Sequence, residues 1–154
     1  MRDIAEAAGR KTVLLVEDSP GDVRLTCEVF AEANPLVDIV VAGDGVEAMA
    51  YLRHEGANAH APRPDLILLD LNLPRMDGSE LLAQIKSDDG LKLIPTVILT
   101  TSDAEADIAR SYQLQANSYL AKPVQLDAFE KLVQGINDFW LNVAKLPPQP
   151  KINQ

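Results

Sequence analysis

Short apolar runs alternate with longer stretches of helical spacing five times along the chain. The strand-like runs lie at 12–16 (TVLLV), 38–42 (DIVVA), 65–69 (DLILL), 96–100 (TVILT) and 118–121 (SYLA). Four of the five are continuous apolar blocks, which are typical of strands covered by helices on both faces. The pattern therefore predicts a parallel sheet between two layers of helices.

The segments between the runs begin with residues that favour helix starts. Ser19 precedes Pro20, and the capping-box spacing, extended from Ser/Thr to Asp, occurs at Asp44 with Glu47, Asp77 with Glu80 and Ser102 with Glu105. Alternating strands and helices of these lengths favour an α/β domain of (βα)5 type, a doubly wound five-stranded parallel sheet with right-handed crossovers.

The last predicted helix carries its apolar residues on one face. These are Leu126, Phe129, Leu132, Val133, Ile136, Trp140 and Val143. Such a helix of about 18 residues is roughly 27 Å long, whereas a five-residue strand spans about 17 Å. We therefore expect Phe139 and Trp140 to extend past the sheet. Either the proline-rich tail folds back on them or a second protomer covers them, and we favour a symmetric homodimer through this C-terminal region.

Composition narrows the class of protein. The length of 154 residues suits one domain. The 14 Lys and Arg residues against 23 Asp and Glu give a net charge of -9, which argues against nucleic-acid binding by general attraction. No apolar run approaches the roughly 20 residues of a membrane-spanning helix, and the N-terminus lacks the apolar core of a signal peptide. With Cys27 as the single cysteine, we expect a cytoplasmic protein without membrane contact.

Polar residues collect where the predicted strands end, and these ends share one edge of the sheet. Glu17 and Asp18 follow the first strand, Asp70 the third and Lys122 the fifth, while Thr100 ends the fourth. Three carboxylates held together repel one another, so a divalent cation is the expected partner. Oxygen ligands without His or Cys suit Mg²⁺ better than Zn²⁺ and leave room for phosphoryl oxygens. The edge therefore favours phosphoryl chemistry.

Each of these residues has an expected role in a phosphoryl-transfer reaction. Asp70 stands alone at the end of a central strand and is the best nucleophile, whereas Glu17 and Asp18 form a pair suited to holding metal. Lys122 provides a point charge for a phosphoryl oxygen. Thr100 offers its hydroxyl to another phosphoryl oxygen.

Four motifs, VEDSPGD, LLDLNLPRMDG, ILTTS and YLAKP, occur in this order along the chain. In order and spacing they resemble the receiver domain of bacterial two-component response regulators, with its chemotaxis-type, flavodoxin-like fold and strand order 2-1-3-4-5. The resemblance covers 11–143 and leaves 1–10 as an N-terminal lead and 144–154 as a Pro-rich tail. The segments EDSPGDVRLTCEVF and DFWLNVAKLPP are similar to single-domain regulators paired with bacterial phytochromes.

The resemblance also implies roles for individual residues. Asp18, Asp70 and the backbone carbonyl of Asn72 would bind Mg²⁺, and Asp70 would accept a phosphoryl group from the histidine of a sensor kinase such as a bacteriophytochrome. Lys122 would contact that group. The resemblance further implies that Thr100 and Tyr119 act as switch residues and that Asn72 and Ser102 tune the rate of dephosphorylation. It also implies a cis peptide bond before Pro123.

The alternative functions are a phosphoacceptor switch, a phosphatase and a receiver-like module that is never phosphorylated. We favour a phosphoacceptor switch without an output domain, since one helix and a tail follow Lys122. Such a switch is not an enzyme, and the reaction it catalyses is at most its own dephosphorylation. Haloacid dehalogenase-type phosphatases need a second acid two residues after the nucleophile, where this chain has Asn72. A receiver-like module that is never phosphorylated would lack some of the acids, and none is missing here.

Overall fold

A five-stranded parallel sheet forms the centre of the molecule, with strand order β2-β1-β3-β4-β5. The computed structural model describes residues 9–149. The strands are β1 (Lys11–Val16), β2 (Val37–Ala42), β3 (Leu66–Leu69), β4 (Thr96–Thr100) and β5 (Ser118–Ala121). The sheet confirms the predicted fold class and strand order, and the strand bounds differ from the predicted runs by one residue at most.

Five α-helices connect and follow the strands. They are α1 (Pro20–Ala33), α2 (Gly45–Leu52), α3 (Gly78–Ser87), α4 (Glu105–Gln113) and α5 (Leu126–Ile136), and a π-helical segment, Asn137–Val143, continues α5. Successive strand residues point to opposite faces of the sheet. Leu14 of β1 therefore packs in a cluster with α2 and α3, whereas Val13 and Leu15 pack in a second cluster with α1 and α5. Within residues 9–149, no helix is both long and apolar enough to cross a membrane.

Three of the four predicted helix starts are confirmed. The side chains of Ser19, Asp44 and Asp77 accept hydrogen bonds from the backbone N–H groups of Asp22, Glu47 and Glu80, respectively. These contacts satisfy N–H groups that have no partner inside the helix. The first of them fixes the start of α1 directly after the end of β1.

The predicted start at Ser102 is wrong. The N-cap position of α4 is Ala104. The hydroxyl of Ser102 instead donates to the Asp107 carboxylate at 2.5 Å and accepts from the N–H of Ala104 at 3.3 Å. Asp107, in the first turn of α4, accepts from Ser102, but the helix begins at Glu105 with Ala104 as its N-cap residue, so Ser102 lies outside the capping position.

The prediction for the last helix is partly wrong. Phe129, Val133 and Ile136 are buried as expected, but Leu126 is 61% exposed and Val143 is 70% exposed. A π-helix closes i→i+5 hydrogen bonds, as from Ala144 N–H to the carbonyl of Phe139. This wider turn changes which residues face the domain. Leu141, which the predicted face leaves out, is buried, at 4% exposure.

The described part of the tail returns along the domain. Leu146 packs against the second apolar cluster together with Trp140, and the Gln149 side chain donates to Asp65 at 2.9 Å. Phe139 remains 53% exposed. The described part of the tail therefore leaves Phe139 largely uncovered. Most of the expected lead, 1–8, and the tail end, 150–154, lie outside the described residues.

The peptide bond before Pro123 is trans, as are all other peptide bonds between residues 9 and 149. The expected cis bond is therefore wrong for this structure. The trans form is the lower-energy isomer of an X–Pro bond in the absence of contacts that select cis.

Candidate functional site

Three carboxylates converge at the edge of the sheet where β1 and β3 end. These strands are parallel neighbours, with Val16 paired to Leu69, so the residues that follow them emerge side by side. One carboxylate oxygen each of Glu17, Asp18 and Asp70 lies within 4.8 Å of the others. The donor set contains only oxygen atoms, which fits a hard divalent cation such as Mg²⁺. The structure thus brings together the three acids that the sequence predicted at this edge.

Asp70 is buried, and donors from three other positions direct both of its oxygens. Oδ1 accepts from the Thr100 hydroxyl at 2.8 Å and from the backbone N–H of Asn72 at 3.1 Å. Oδ2 accepts from the Lys122 ammonium at 3.2 Å. Thr100, fully buried at the end of β4, and Lys122, just after β5, therefore meet at Asp70 as predicted.

The Lys122 ammonium has three carboxylate partners. Its side chain is 4% exposed and forms ion pairs with Glu17, with Asp22 at 2.9 Å and with Asp70 at 3.2 Å. Burial alone would lower the pKa of Lys122, but the hydrogen bonds to Glu17 and Asp22 and the charge of Asp70 outweigh burial and raise it. Lys122 is therefore a permanent positive charge at this edge.

Glu17 has an unusual acidity for a carboxylic acid. Burial raises its pKa from 4.5 to about 7; the hydrogen bond from Lys122 opposes this shift, and the charge of Asp70 adds to it. Its other oxygen accepts from the N–H of Ser19 at 3.1 Å. Asp18, in contrast, is exposed. One acid of the trio thus loses its proton near neutral pH.

Asp22 belongs to this group, but the sequence reasoning missed it. It lies in the first turn of α1, and its side chain is 38% exposed. The sequence does indicate that Asp22 lies near the site, because the predicted start of α1 at Pro20 puts Asp22 one turn from the edge where β1 ends. Nothing in the spacing, however, shows that its carboxylate reaches Lys122.

Tyr119 and Ser102 contact each other beside the site. The Tyr119 hydroxyl donates to the Ser102 carbonyl at 2.8 Å, and its ring is partly buried against the first apolar cluster. Burial raises the pKa of Tyr119. This contact ties β5 to the loop that leaves Thr100. An open hollow of about 470 Å³ is lined by Asn72, Asp77 and Asp107, the hydrogen-bond partner of Ser102, among others.

Phe139 and Trp140 lie away from the acids. Their rings meet edge to face, with centroids 5.2 Å apart. They border an apolar groove of about 570 Å³ between β5 and α5. The structure thus places these residues at a second surface, not at the acidic edge.

Comparisons with known proteins agree with this geometry. Residues 13–134 match the response regulator receiver domain. The response regulator Rcp1 of Synechocystis sp. is 49% identical over 137 residues, which are 89% of this chain and 93% of that protein.

Solved structures of response regulators are similar to this chain in sequence and fold. The phosphorylated cyanobacterial phytochrome response regulator RcpA is 52% identical, with a TM-score of 0.88 over 90% of this chain and 99% of that one. The Mn²⁺-bound form of Rcp1 is 48% identical, with a TM-score of 0.86 over the same shares of the two chains. The chain therefore belongs to the response regulator receiver domain family of two-component signalling proteins and is a homologue of the phytochrome response regulators.

Proposed function

We propose that Asp70 accepts a phosphoryl group in a Mg²⁺-dependent reaction and that the modified chain signals through protein contacts. The observation that carries this proposal is the set of donors on Asp70. Its two oxygens are held by the Thr100 hydroxyl at 2.8 Å and the Lys122 ammonium at 3.2 Å, beside two further acids. This arrangement provides a nucleophile, positive charge and a cation site at one point.

In the proposed step, an Asp70 oxygen bonds to phosphorus while the bond from phosphorus to the donor's histidine nitrogen breaks. The nitrogen keeps the electron pair. Little covalent chemistry is left to the protein, so charge and position decide the rate. Glu17, Asp18, Asp70 and the Asn72 carbonyl would hold Mg²⁺, which supplies positive charge to the phosphoryl oxygens when bound. Lys122 adds a second positive charge.

The conformational response starts from Thr100. Its hydroxyl, now on Asp70 Oδ1, would move to a phosphoryl oxygen, and this movement would pull on the loop whose Ser102 carbonyl accepts from Tyr119. Phosphorylation would thereby shift an existing equilibrium between two arrangements of Thr100 and Tyr119. Asn72 and Ser102 occupy the positions proposed to tune the attack of water on the phosphorylated Asp70. Neither residue is a strong acid or base, so we expect no unusually fast self-dephosphorylation.

The proposed phosphodonor is a sensor histidine kinase, and a bacteriophytochrome in particular. The similarity to RcpA and Rcp1 supports this choice, because the RcpA structure is described as a phytochrome response regulator. We place the receiver domain at 11–143 and the protein in the cytoplasm. The net charge of -9 supports protein partners and not nucleic acid. Turnover of outside phosphoesters is disfavoured by Asn72, which stands where a phosphatase needs an acid.

We also propose a homodimer through the C-terminal region. Phe139 is 53% exposed, and the groove beside it is lined by Leu120, Leu132, Gly135, Ile136 and Trp140, among others. Solvent-exposed aromatic surface of this kind is typical of protein contacts. A second copy of the chain would bury the surface that the tail leaves open.

Intact-mass spectrometry tests the phosphoacceptor role. The chain is incubated with Mg²⁺ and acetyl phosphate, alongside Asp70→Asn and the matched control Asp89→Asn, an exposed acid whose side chain is 99% accessible. We expect one phosphoryl group on wild type and control and none on Asp70→Asn. Fast release of phosphate without an adduct would indicate a phosphatase. No reaction at all would indicate an inert receiver-like module.

A further inference from the structure

We propose that Asp22 is a positioning residue that keeps Lys122 aimed at Asp70 when a cation occupies the three acids. This inference rests on the proposed phosphorylation of Asp70. Asp22 Oδ2 lies 2.9 Å from the Lys122 ammonium, closer than Asp70 Oδ2 at 3.2 Å. Asp22 is not one of the acids whose oxygens converge within 4.8 Å. It therefore contacts the lysine without belonging to the cation site.

The ammonium of Lys122 has three N–H donors and no more. Among residues 9–149, its acceptors are the carboxylates of Glu17, Asp22 and Asp70. Glu17 and Asp70 are also candidate cation ligands, so a bound cation competes with Lys122 for their oxygens. Asp22 is the partner for which the cation does not compete. In the loaded state its contact with the ammonium is the one that the cation does not weaken.

The local fold gives Asp22 a fixed place. Its N–H is capped by the Ser19 hydroxyl at 3.5 Å, and the N–H of Ser19 donates to Glu17 at 3.1 Å. Pro20 at the first position of α1 presets the backbone angle for the helix. The turn that joins β1 to α1 thus holds Glu17 and Asp22 on the same ammonium. Lys122 itself is 4% exposed, so in the intact site its donors bond to these carboxylates and not to bulk water.

During phosphorylation, one N–H of Lys122 would pass from Asp70 to a phosphoryl oxygen while a second stays on Asp22. The ammonium then need not leave its position when charge develops on the phosphoryl group. Without Asp22 it would rotate or follow the cation-bound acids. The competing interpretation is that Asp22 only stabilises the N-terminus of α1, as an acid in a first turn commonly does.

Two variants and one control separate these interpretations. Asp22→Ala removes the acceptor, Asp22→Asn keeps an acceptor oxygen without charge, and Glu32→Ala removes an exposed acid from the same helix. We expect the phosphorylation rate with acetyl phosphate at saturating Mg²⁺ to fall about tenfold in Asp22→Ala. Asp22→Asn should fall between that variant and wild type, and Glu32→Ala should match wild type. Equal rates in Asp22→Ala and Glu32→Ala would overturn the proposal.

A second readout does not depend on phosphorylation. In the Mg²⁺-loaded wild type, the buried Lys122 ammonium should give a slowly exchanging signal in NMR spectra selective for lysine side chains, and Asp22→Ala should lose it. If wild type accepts no phosphoryl group, the proposed function is wrong. The NMR signal of Lys122 still shows whether Asp22 positions the ammonium. Retention of the signal in Asp22→Ala would refute the role. A loss of Mg²⁺ affinity as large as that of Asp18→Asn would also refute it, because Asp22 would then be a cation ligand.

Discussion

Glu17 is both a candidate ligand for the proposed cation and a buried acid whose ionisation lowers the stability of the fold. Its carboxylate is 4% exposed, and burial raises its pKa to about 7 against 4.5 for the ordinary residue. Because the folded chain holds this proton more tightly than the unfolded chain, the contribution of Glu17 to stability is fully present below pH 4.5. It is lost as the pH rises through about 7.

We therefore predict that Glu17→Gln abolishes a pH-dependent loss of stability. In the absence of divalent cations, the free energy of unfolding of wild type should fall between pH 4.5 and 8 by up to about 3 kcal/mol more than that of the variant. Urea denaturation in EDTA at several pH values measures this difference. Added Mg²⁺ should restore wild-type stability at pH 8 and have less effect on Glu17→Gln. Parallel pH profiles for the two proteins would contradict the prediction.

The residues of the site differ in how far the sequence could predict them. Glu17, Asp18, Asp70, Thr100 and Lys122 follow from strand ends, because parallel strands place their carboxyl ends at one edge. Asp22 did not follow. Its contact with Lys122 joins residues 100 positions apart, and it depends on the angle at which α1 leaves β1. Periodicity carries no information about that angle.

At the scale of elements, local chemistry predicted helix starts better than helix ends. Ser19, Asp44 and Asp77 cap as expected since their partners lie within three residues. The prediction at Ser102 is wrong because α4 starts two residues later, where Ala104 takes the N-cap position. The change to π-helix after Ile136 has no sequence signal of this kind. At the point where the change begins, buried Asn137 accepts a hydrogen bond at 3.5 Å from the side chain of Asn34, the residue that follows α1.

The π-helical segment makes a prediction that distinguishes it from a continued α-helix. Leu141→Ala should lower the free energy of unfolding by about 2–4 kcal/mol, since Leu141 is 4% exposed and leaves a cavity. Val143→Ala should change it by about 0.5 kcal/mol or less, because Val143 is 70% exposed. Urea denaturation of both variants measures these values. A larger loss for Val143→Ala than for Leu141→Ala would show that the regular α-helical face persists.

At the scale of the whole molecule, charge and apolar surface act in opposite directions. Each chain has a net charge of -9, so two copies repel at long range. The groove between β5 and α5 carries mainly apolar residues together with Lys131, a positive charge in an acidic protein. Association at this groove would therefore rely on burial of Phe139 and its neighbours. Salt should strengthen it by screening the repulsion.

This surface leads to a prediction for the assembly state. A truncation after Asn137 would test it poorly, because it removes buried Leu141 and with it part of the core. Phe139→Asp is the sharper variant, since Phe139 is 53% exposed, and Leu93→Asp, at a position 57% exposed elsewhere on the surface, is its matched control. Sedimentation velocity should show dimers for wild type and Leu93→Asp and monomers for Phe139→Asp, with the dimer fraction of wild type rising with salt. Dimers that persist in Phe139→Asp, or a wild type that sediments as a monomer, would place this groove outside any interface between copies of the chain.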